Sequence, residues 1–435
     1  MKLENGKRKK IRLDPYIFIP SVLISVIGIV VLLSTTIEGD GSFGDLSIVY
    51  KQIGFVLVGL VIYLLTSIID ISLFKYVQIV IPIYIFTILL LISVFIFGPV
   101  INNVQRWLVI GGIQIQPSEI AKITVILVTA CIFSFKNRYN QWLLFGVSFI
   151  AVLPIFFLIY LEPAGSMSLL TLVIWFLVAF TGLSNQFRNT IALIIISLLS
   201  ISLFLISFTN NWIYILLGVG ALIISILSYY YRDNWRILVI VSFFVGLLIG
   251  SSSVVLYKSV LKEYQKDRIE AFINPTESTQ DIGFNVNQAR IAIGSGQIWG
   301  KGFGNGTQSK RDFLPEHQTD FIFASYAEEF GLVGSLFLLL LFGVIITRIL
   351  NISVDNSSNH FFSIVLIGIT MKLLLEIFVN IGTNVGVIPA TGIPLPLVSA
   401  GGTITIMTLF SLGVVQSIIN SSNINKSNRN IIDNY

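Results

Sequence analysis

The stretch RIEAFINPTESTQDIGFNVNQARIAIGSGQIWGKGFGNGTQSKRDFLPEHQTD, residues 268–320, is the longest polar interruption in a chain of long apolar runs. It combines carboxylates, amides and cations with many glycines, while the flanking segments are rich in Leu, Ile, Val and Phe. A loop of this length exceeds what a simple connection between helices needs. We therefore expect the chemistry of the protein to reside in this loop.

The composition is that of a membrane protein. Hydrophobic residues make up 55% of the 435 residues and charged residues only 11%, and the mean hydropathy is +0.88. Soluble proteins carry about a quarter charged residues. Because backbone groups find no water in a bilayer, apolar runs of about 20 residues must be helical there, and the alternation of a β-barrel is missing. The sequence predicts an all-α polytopic membrane protein with about 10–12 transmembrane helices and a large extracytoplasmic loop.

The apolar runs divide the chain into five parts. We expect a basic tail at 1–15, transmembrane helices at 16–257 with an additional hairpin within 189–257, the loop at 258–320, further transmembrane helices at 321–419, and a tail at 420–435. Short cytoplasmic loops keep Lys and Arg, whereas long loops are translocated regardless of charge. This rule predicts that both termini are cytoplasmic and that 258–320 lies outside. The net charge of +5 comes mostly from the basic tail and short basic loops, so it indicates orientation in the membrane and no nucleic-acid partner.

Charged residues also begin one of the apolar runs. In QPSEIAK, residues 116–122, Pro117 suits the first helical position and Glu119 the first turn, where the helix dipole favours a carboxylate. Lys122 follows three residues later and lies on the same helix face. The pair could be a local ion pair at a helix start. A Lys one turn into a membrane helix is costly, however, so we favour a functional role for Glu119 and Lys122.

Several motifs resemble the SEDS family (shape, elongation, division and sporulation). They are QRWL and QPSEIAK within 105–122, NQARIAIGSG at 287–296, GKGFGNGTQ at 300–308, FLPEHQTDFIFA at 313–324, EEFGLVG at 328–334 and TGIPLPLVSAGG at 391–402. IAIGSG and GKGF are more similar to the RodA branch, which serves elongation, than to the FtsW branch. The resemblance implies a peptidoglycan glycosyltransferase of the bacterial cytoplasmic membrane. It would polymerise lipid II on the outer face, in complex with a single-pass class B penicillin-binding protein and surrounded by membrane lipids.

The sequence departs from the family pattern at two carboxylates. Glu162 stands in a turn where the family usually has an Asp, and Ser278 stands where the family's essential loop Asp is expected. Asp281, three residues further on, is the expected replacement, with Glu277 as the alternative. Because a sugar hydroxyl needs a base as it attacks, we assign Asp281 that role.

The leaving pyrophosphate needs cations or a metal, for which Arg106 and Lys122 are candidates. A divalent cation, Mg²⁺ or Mn²⁺, could be held by Glu119 or Asp281. The matched motifs supply the candidate substrate-binding residues, which are Arg106, Gln288, Lys301, Thr307, Gln308, Thr319 and Asp320. The polar loop residues among them could instead satisfy backbone groups of a re-entrant segment. Glu328 and Glu329 lie within an apolar run, so at least one should have a buried partner.

Two other functions remain open at this point. Intramembrane charges and irregular helices also mark transport pathways, so a lipid II flippase is one alternative. Its weakness is that Glu119, Lys122, Asp281 and Asp320 are all expected toward the outer face rather than at the midplane. An inactive scaffold for a penicillin-binding protein is the other, because the loop Asp is displaced.

Overall fold

The computed structural model describes residues 13–37, 42–100, 104–185, 282–308 and 316–432, with side chains described as far as 422. The chain divides into two compact units, Met1–Gly182 with Asn274–Tyr435, and Leu183–Ile273. Nearly all of the second unit lies outside the described residues, so the first unit alone is described below. The predicted additional hairpin within 189–257 therefore stays a prediction.

The described residues form an almost entirely α-helical structure. Its helices are α1 (Pro15–Thr35), α2 (Ser47–Ile68), α3 (Val77–Phe97), α4 (Pro117–Phe133), α5 (Gln141–Leu161), α6 (Gly165–Gly182), α7 (Ile282–Gly296), α8 (Ile322–Asp355), α9 (His360–Val385) and α10 (Gly402–Ile432). A short 3₁₀ helix (Ile71–Lys75) precedes α3, and strands β1 (Leu108–Ile110) and β2 (Ile113–Ile115) form an antiparallel hairpin before α4. In the described ranges, eight helices, all but α4 and α7, are long and apolar enough to span a membrane. The predicted all-α polytopic membrane fold is confirmed.

The helices differ in how much of their surface the protein covers. The spans of α9 and α10 are 61% and 72% buried, whereas that of α3 is 22% buried and exposes apolar side chains around most of its circumference. Helix α4 is the most enclosed, with nearly every side chain from Pro117 to Phe133 buried against α3, α5, α6, α9 and α10. The charged residues at the start of α4 therefore lie in the interior of the bundle.

Two helices differ from the lengths that hydropathy predicts. Helix α2 begins at Ser47, well before the apolar run at 55, because Gln52 is buried and bonds to Ser399 and Thr405 instead of facing lipid. Helix α7 lies inside the polar loop, where hydropathy predicts no span. Its buried face is small, since Ala289 and Ala292 pack against Phe321 and Ala324 at the start of α8.

One end of the bundle carries a layer of polar segments, residues 104–116, 297–308, 316–320 and 386–401, which we call the polar layer. Each of its segments is hydrogen-bonded to another of them or to a neighbouring helix. Ala400 N donates to the carbonyl of Gln318 (2.8 Å), Ser399 Oγ to that of Thr319 (2.6 Å), and Thr403 Oγ1, at the start of α10, to that of Gln114 (3.2 Å). The matched motifs of the sequence thus meet at the end where α4, α8 and α10 begin and α9 ends.

Polar side chains close the opposite end. Arg348 of α8 donates to Asp14 Oδ2 through Nε and Nη2 (3.0 and 2.7 Å), and Asp14 caps the start of α1. The amide of Asp14 and the hydroxyl of Tyr63 both donate to Gln416 Oε1 (2.9 and 3.0 Å). These contacts tie α1, α2, α8 and α10 together.

Candidate active site

A buried group of four charged side chains joins α4 to α9. We call Glu119, Lys122, Lys372 and Glu376 the ionic cluster. Lys122 Nζ lies 2.7 Å from Glu119 Oε1 and 2.5 Å from Glu376 Oε1, and Lys372 Nζ lies 2.9 Å from Glu376 Oε2. All four side chains are at most 1% exposed. Glu119 and Lys122 therefore lie on one face and pair, as their spacing predicts.

The ionic cluster is electrically neutral, and its charges alternate along the series Glu119, Lys122, Glu376, Lys372. Charges in a low-dielectric interior are tolerated when they are paired, but removal of one partner leaves a buried uncompensated charge. Such a loss typically costs about 3–5 kcal/mol. Removal of any one of the four charges should therefore destabilise the fold.

Lys372 and Glu376 were missed by the sequence reasoning. Both are in α9, and Lys372 lies close to its middle. The signal was available, because a Lys and a Glu four residues apart within an apolar run are neighbours on one helix face. What sequence could not supply was their partner, because Lys122 is 254 positions away from Glu376. The expectation that Glu119, Lys122, Asp281 and Asp320 lie toward the outer face did not extend to Lys372 and Glu376.

A metal does not fit between the two carboxylates in this arrangement, because the ammonium of Lys122 occupies that position. One oxygen of Glu119, Oε2, is buried and has no hydrogen-bond partner in the described chain. Among the described residues there is no group of three or more His, Cys, Asp or Glu side chains that could hold a metal ion. Asp281, the other expected ligand and the expected base, and Glu277 lie outside the described residues.

A second buried carboxylate, Glu328 in the first part of α8, binds the loop that precedes it. Lys301 Nζ donates to Glu328 Oε1 (2.6 Å), as do the amide and the hydroxyl of Thr307 (2.9 and 2.8 Å). The amide of Gln308 donates to Glu328 Oε2 (3.2 Å). Lys301, Thr307 and Gln308, three of the candidate substrate-binding residues, are thus brought together around a protein carboxylate. Their contacts hold residues 297–308 in place, and the charged partner of Glu328 is Lys301.

Helix α8 is broken immediately after this carboxylate. Gly331 has φ 66° and ψ −163°, outside the helical region. In a regular helix the amides of Leu332 and Val333 would bond to the carbonyls of Glu328 and Glu329. The break separates these four groups, and buried backbone groups without partners are costly.

The loop satisfies all four groups. Each broken helix bond is replaced by two bonds to residues 297–302. They are Leu332 N to Gln297 O (2.9 Å), Val333 N to Ile298 O (3.1 Å), Lys301 N to Glu328 O (3.0 Å) and Gly302 N to Glu329 O (2.9 Å). The approach is so close that a Cβ on Gly300 would lie 2.1 Å from the carbonyl oxygen of Glu329. Gly300, the first glycine of the GKGFGNGTQ motif, therefore permits this exchange of backbone hydrogen bonds.

Glu329, the neighbouring carboxylate, faces α1. It accepts a short hydrogen bond from Ser34 Oγ, and Ser34 Oγ accepts one from the amide of Gly304 (3.0 Å). Both glutamates that sequence places within an apolar run thus have partners, of which Ser34 is buried and Lys301 is 27% exposed, and both anchor the loop at 297–308.

Thr319 and Asp320 lie in the turn that leads into α8. The side chains of Asn380 and Asn384 each donate to the backbone carbonyl of Asp320 (2.9 Å), and the hydroxyl of Thr319 donates to Glu316 Oε2 (2.7 Å). The Asp320 carboxylate is half-buried, with Oδ2 3.5 Å from the position that a Cβ on Gly392 would take. Asp320 therefore lies against the TGIPLP segment.

Arg106 precedes the β hairpin and lies near the turn between α5 and α6. Its guanidinium donates a short hydrogen bond to the carbonyl of Pro163. Beside it, Glu162 is 1% exposed. Burial raises the pKa of Glu162 to about 8, and the charge of Arg106 opposes this shift. The three predicted cations, Arg106, Lys122 and Lys301, thus all have partners within the protein, so an anionic ligand must compete with those partners.

Gln288 is half-buried on α7, one residue before the packed Ala289.

One exposed cation was not among the predicted site residues. Arg290 belongs to the NQARIAIGSG motif and extends from α7, where its side chain passes over Gly386 at the end of α9. Arg290 is exposed because the motif is helical and residues 289 and 292 lie on the face that packs against the bundle. Sequence reasoning assigned no helix to this segment and so could not separate its two faces.

The fold and this site define a multi-pass helical membrane protein with buried charges in its core and its motifs gathered at one end. The FtsW/RodA/SpoVE family, described as cell cycle proteins, matches residues 15–218 and 214–424. The chain belongs to this family, and the predicted resemblance is confirmed.

Individual relatives and structures agree with this assignment. The peptidoglycan glycosyltransferase MrdB of Escherichia coli K12 is 32% identical over 94% of both chains. The probable peptidoglycan glycosyltransferase FtsW of Bacillus subtilis is 30% identical over 76% of this chain and 71% of its own. The fold is similar to that of the rod shape determining protein RodA of Thermus thermophilus, with a TM-score of 0.57, 23% identity and coverage of 95% of this chain and 98% of that one. It is also similar to a chain from a structure described as the structural coordination of polymerization and crosslinking by a peptidoglycan synthase complex, with a TM-score of 0.66, 24% identity, and 94% and 98% coverage.

Proposed function

We propose that the chain is a peptidoglycan glycosyltransferase that polymerises lipid II into glycan strands at the outer face of the bacterial cytoplasmic membrane. The activity class is the one for which its curated relatives are named, and the alignment with MrdB extends over 94% of both chains. The IAIGSG and GKGF motifs further favour a role in elongation and cell shape over one in division.

The observation that carries this proposal is the polar layer. Four segments that are distant in sequence lie at one end of the bundle, where each is held by hydrogen bonds to another of them or to a neighbouring helix, and the start of α4, with its ionic cluster, lies beneath them. Polymerisation needs the sugars and the pyrophosphate of lipid II to meet polar groups at a membrane surface while the lipid tail stays in the bilayer. A cavity of 470 Å³ between α1 and α8, lined by Val30, Trp299 and Phe330 among others, is apolar enough to take part of such a tail.

The roles of the residues follow from the chemistry. Asp281 acts as the base that removes the proton of the attacking sugar hydroxyl, with Glu277 as the alternative. Positive groups stabilise the pyrophosphate as it leaves, and Arg106 and the exposed Arg290 are the candidates nearest the surface. Glu119 and Lys122 contribute from within the bundle, where a fixed charge acts strongly because the dielectric is low. A Mg²⁺ or Mn²⁺ ion would have to be held by Asp281, since Lys122 fills the position between the carboxylates of the ionic cluster.

Lipid II is the substrate and a class B penicillin-binding protein the partner in this proposal. One of the structurally similar chains comes from a peptidoglycan synthase complex in which polymerization and crosslinking are coordinated. Crosslinking is a separate reaction from polymerisation, and in this proposal the partner carries it out. The positive-inside rule further supports cytoplasmic termini and an external loop at 258–320.

A lipid II flippase and an inactive scaffold are the competing functions. A transporter usually binds its cargo near the midplane between broken helices, and Lys372 lies near the middle of α9. All four charges of the ionic cluster are paired and buried, however, and the end opposite the polar layer is tied by Arg348, Asp14 and Gln416. Neither feature suits an aqueous path.

The experiment that separates these functions uses the purified full-length chain with a class B penicillin-binding protein whose transpeptidase site is blocked. Fluorescent lipid II is supplied in detergent, and glycan products are separated on a gel. A ladder of glycan strands is expected. Movement of lipid II across liposome membranes without any ladder would favour the flippase, and neither activity in the presence of bound partner would favour the scaffold.

A further inference from the structure

Two charged residues in the core of the bundle have no role in the function proposed so far. Lys372 and Glu376 are the only Lys, Arg, Asp or Glu residues in α9, and both are fully buried. Placing a Lys and a Glu within an apolar helix is unfavourable unless they serve each other or a third group. Lys372 and Glu376 could neutralise each other's charge within α9, but Glu376 also binds Lys122 on α4.

Glu376 uses its two oxygens for two different ammonium groups. Oε1 accepts from Lys122 on α4 at 2.5 Å, and Oε2 accepts from Lys372 at 2.9 Å. Lys122 in turn lies between Glu376 and Glu119. Glu376 therefore fixes Lys122 from the α9 side, while Lys372 lies at the far end of the series and does not contact Lys122.

We propose that Glu376 is a positioning residue for Lys122 and that Lys372 supplies the charge that keeps Glu376 neutralised. This inference rests on the proposed function, because it takes Lys122 as part of the machinery for polymerisation. With one anchor on α4 and one on α9, the ammonium is held between two helices. With the α9 anchor removed, only Glu119 remains, three residues away on the same helix, and the side chain can turn with it.

The position of Lys122 also decides what Glu119 offers. Lys122 takes Glu119 Oε1, which leaves Oε2 buried and without a hydrogen-bond partner in the described chain. A buried acceptor of this kind is suited to a hydroxyl or a water molecule that arrives with the substrate. If Glu376 no longer held Lys122, the ammonium could take either oxygen, and the open acceptor would lose its fixed position.

The chain offers a matched pair of variants. Glu376→Gln and Lys372→Gln each change the net charge of the ionic cluster by one. Only Glu376→Gln weakens the α9 anchor of Lys122, because a neutral amide oxygen accepts a weaker hydrogen bond than a carboxylate does. It also leaves the ammonium groups of Lys122 and Lys372 without an anion between them. Lys372→Gln leaves Lys122 between Glu119 and Glu376. The double variant Lys372→Gln/Glu376→Gln is neutral but lacks the α9 anchor, so it separates charge balance from positioning.

Polymerisation of fluorescent lipid II is the first measurement, made on each full-length variant with the partner synthase. Because small displacements of a catalytic group are costly, Glu376→Gln and the double variant should each lose roughly tenfold or more in rate, and Lys372→Gln about threefold at most. Glu376→Asp, which keeps the charge, should recover part of the loss. Equal losses in the two single variants, or a double variant with the parent's rate, would reduce the role of Glu376 to charge balance and overturn the proposal.

Thermal unfolding in detergent is the second measurement, and it does not depend on the activity. Glu376→Gln should lower the Tm by about 5 °C, Lys372→Gln by less, and the neutral double variant least. A fall for Lys372→Gln as large as that for Glu376→Gln would contradict the proposed arrangement. If the parent forms no glycan while it unfolds cooperatively and binds its partner, the proposed function fails. The ranking of the variants by their loss of Tm then decides on its own whether Glu376 holds Lys122. If Glu376→Gln does not insert into the membrane, the polymerisation rate and the Tm are measured on the double variant instead.

Discussion

At the scale of single residues, Glu162 gives a direct test of the electrostatics. It lies in the turn between α5 and α6, and both its carboxylate oxygens are buried without a hydrogen bond in the described chain. Burial raises its pKa to about 8, which the nearby charge of Arg106 only partly opposes. The folded protein therefore keeps a proton on Glu162 that the unfolded chain releases at lower pH.

The sign of the pH dependence follows from this difference. Between the ordinary pKa of a glutamate, 4.5, and about 8, the folded state binds more protons at this position than the unfolded state. The contribution of Glu162 to stability is therefore greatest below that range and declines as the pH rises through it. Glu162→Gln should remove this part of the decline, so that its Tm exceeds the parent's increasingly from pH 5 to pH 8. Parallel Tm curves for the two proteins would show that Glu162 is not protonated in the fold.

At the scale of elements, the exchange of hydrogen bonds between the broken helix α8 and residues 297–302 can be tested by adding single methyl groups. A Cβ on Gly331 would lie 2.4 Å from the amide nitrogen of Gly300, and Gly331 has a positive φ that other residues adopt only at a cost. Gly331→Ala and Gly300→Ala should each destabilise the protein by about 2 kcal/mol or more.

Gly343→Ala is the matched control, because Gly343 lies in the same helix and a Cβ there meets nothing within 4 Å. It should change stability by no more than about 1 kcal/mol, since alanine is the better helix former. Thermal unfolding measures the loss of stability, and limited proteolysis after residues 301 and 310 measures whether the loop is still held against α8. A loop that stays protected in Gly331→Ala would contradict the exchange of hydrogen bonds.

The elements also show what sequence could and could not supply. The helices from α1 to α6 and from α8 to α10 were predictable, because uninterrupted apolar runs have no other structure in a bilayer. Helix α7 was not, because its fully buried side chains, Ala289 and Ala292, are small and give little hydrophobic periodicity. Lys301 and Thr307 share a motif and were both proposed to bind substrate, but sequence could not show that Glu328 binds them. Lys122 was singled out by its cost in a membrane, while its partner Glu376 is a long-range contact that no local pattern reveals.

At the scale of the whole molecule, the orientation in the membrane is the first prediction. The positive-inside rule places both termini in the cytoplasm and 258–320 outside. A cysteine introduced as Thr276→Cys, with Cys131→Ser in the background, should react with an impermeant reagent added to intact cells. Cys131 is the only cysteine of the chain and is buried, so with Cys131→Ser the introduced cysteine is the only thiol left to label. Labelling only after the membrane is opened from the cytoplasmic side would reverse the topology, and with it the side on which polymerisation takes place.

The central claim is that the chain forms glycosidic bonds, with the loop at 258–320 supplying the base. Asp281→Asn keeps the size of the side chain and removes its basicity, so it separates binding from chemistry. Glu277→Gln, four residues earlier, is the matched control, and both variants should insert and associate with the partner synthase like the parent.

The most direct measurement is glycan formation from purified lipid II by the parent, Asp281→Asn and Glu277→Gln, each with the same transpeptidase-blocked partner. The parent and Glu277→Gln should give a ladder of glycan strands, and Asp281→Asn should give at least about a hundredfold less product while it still binds lipid II. A ladder from Asp281→Asn equal to that of the parent would contradict the assignment of the base. No ladder from the parent, with partner and lipid II both bound, would contradict the proposed function itself.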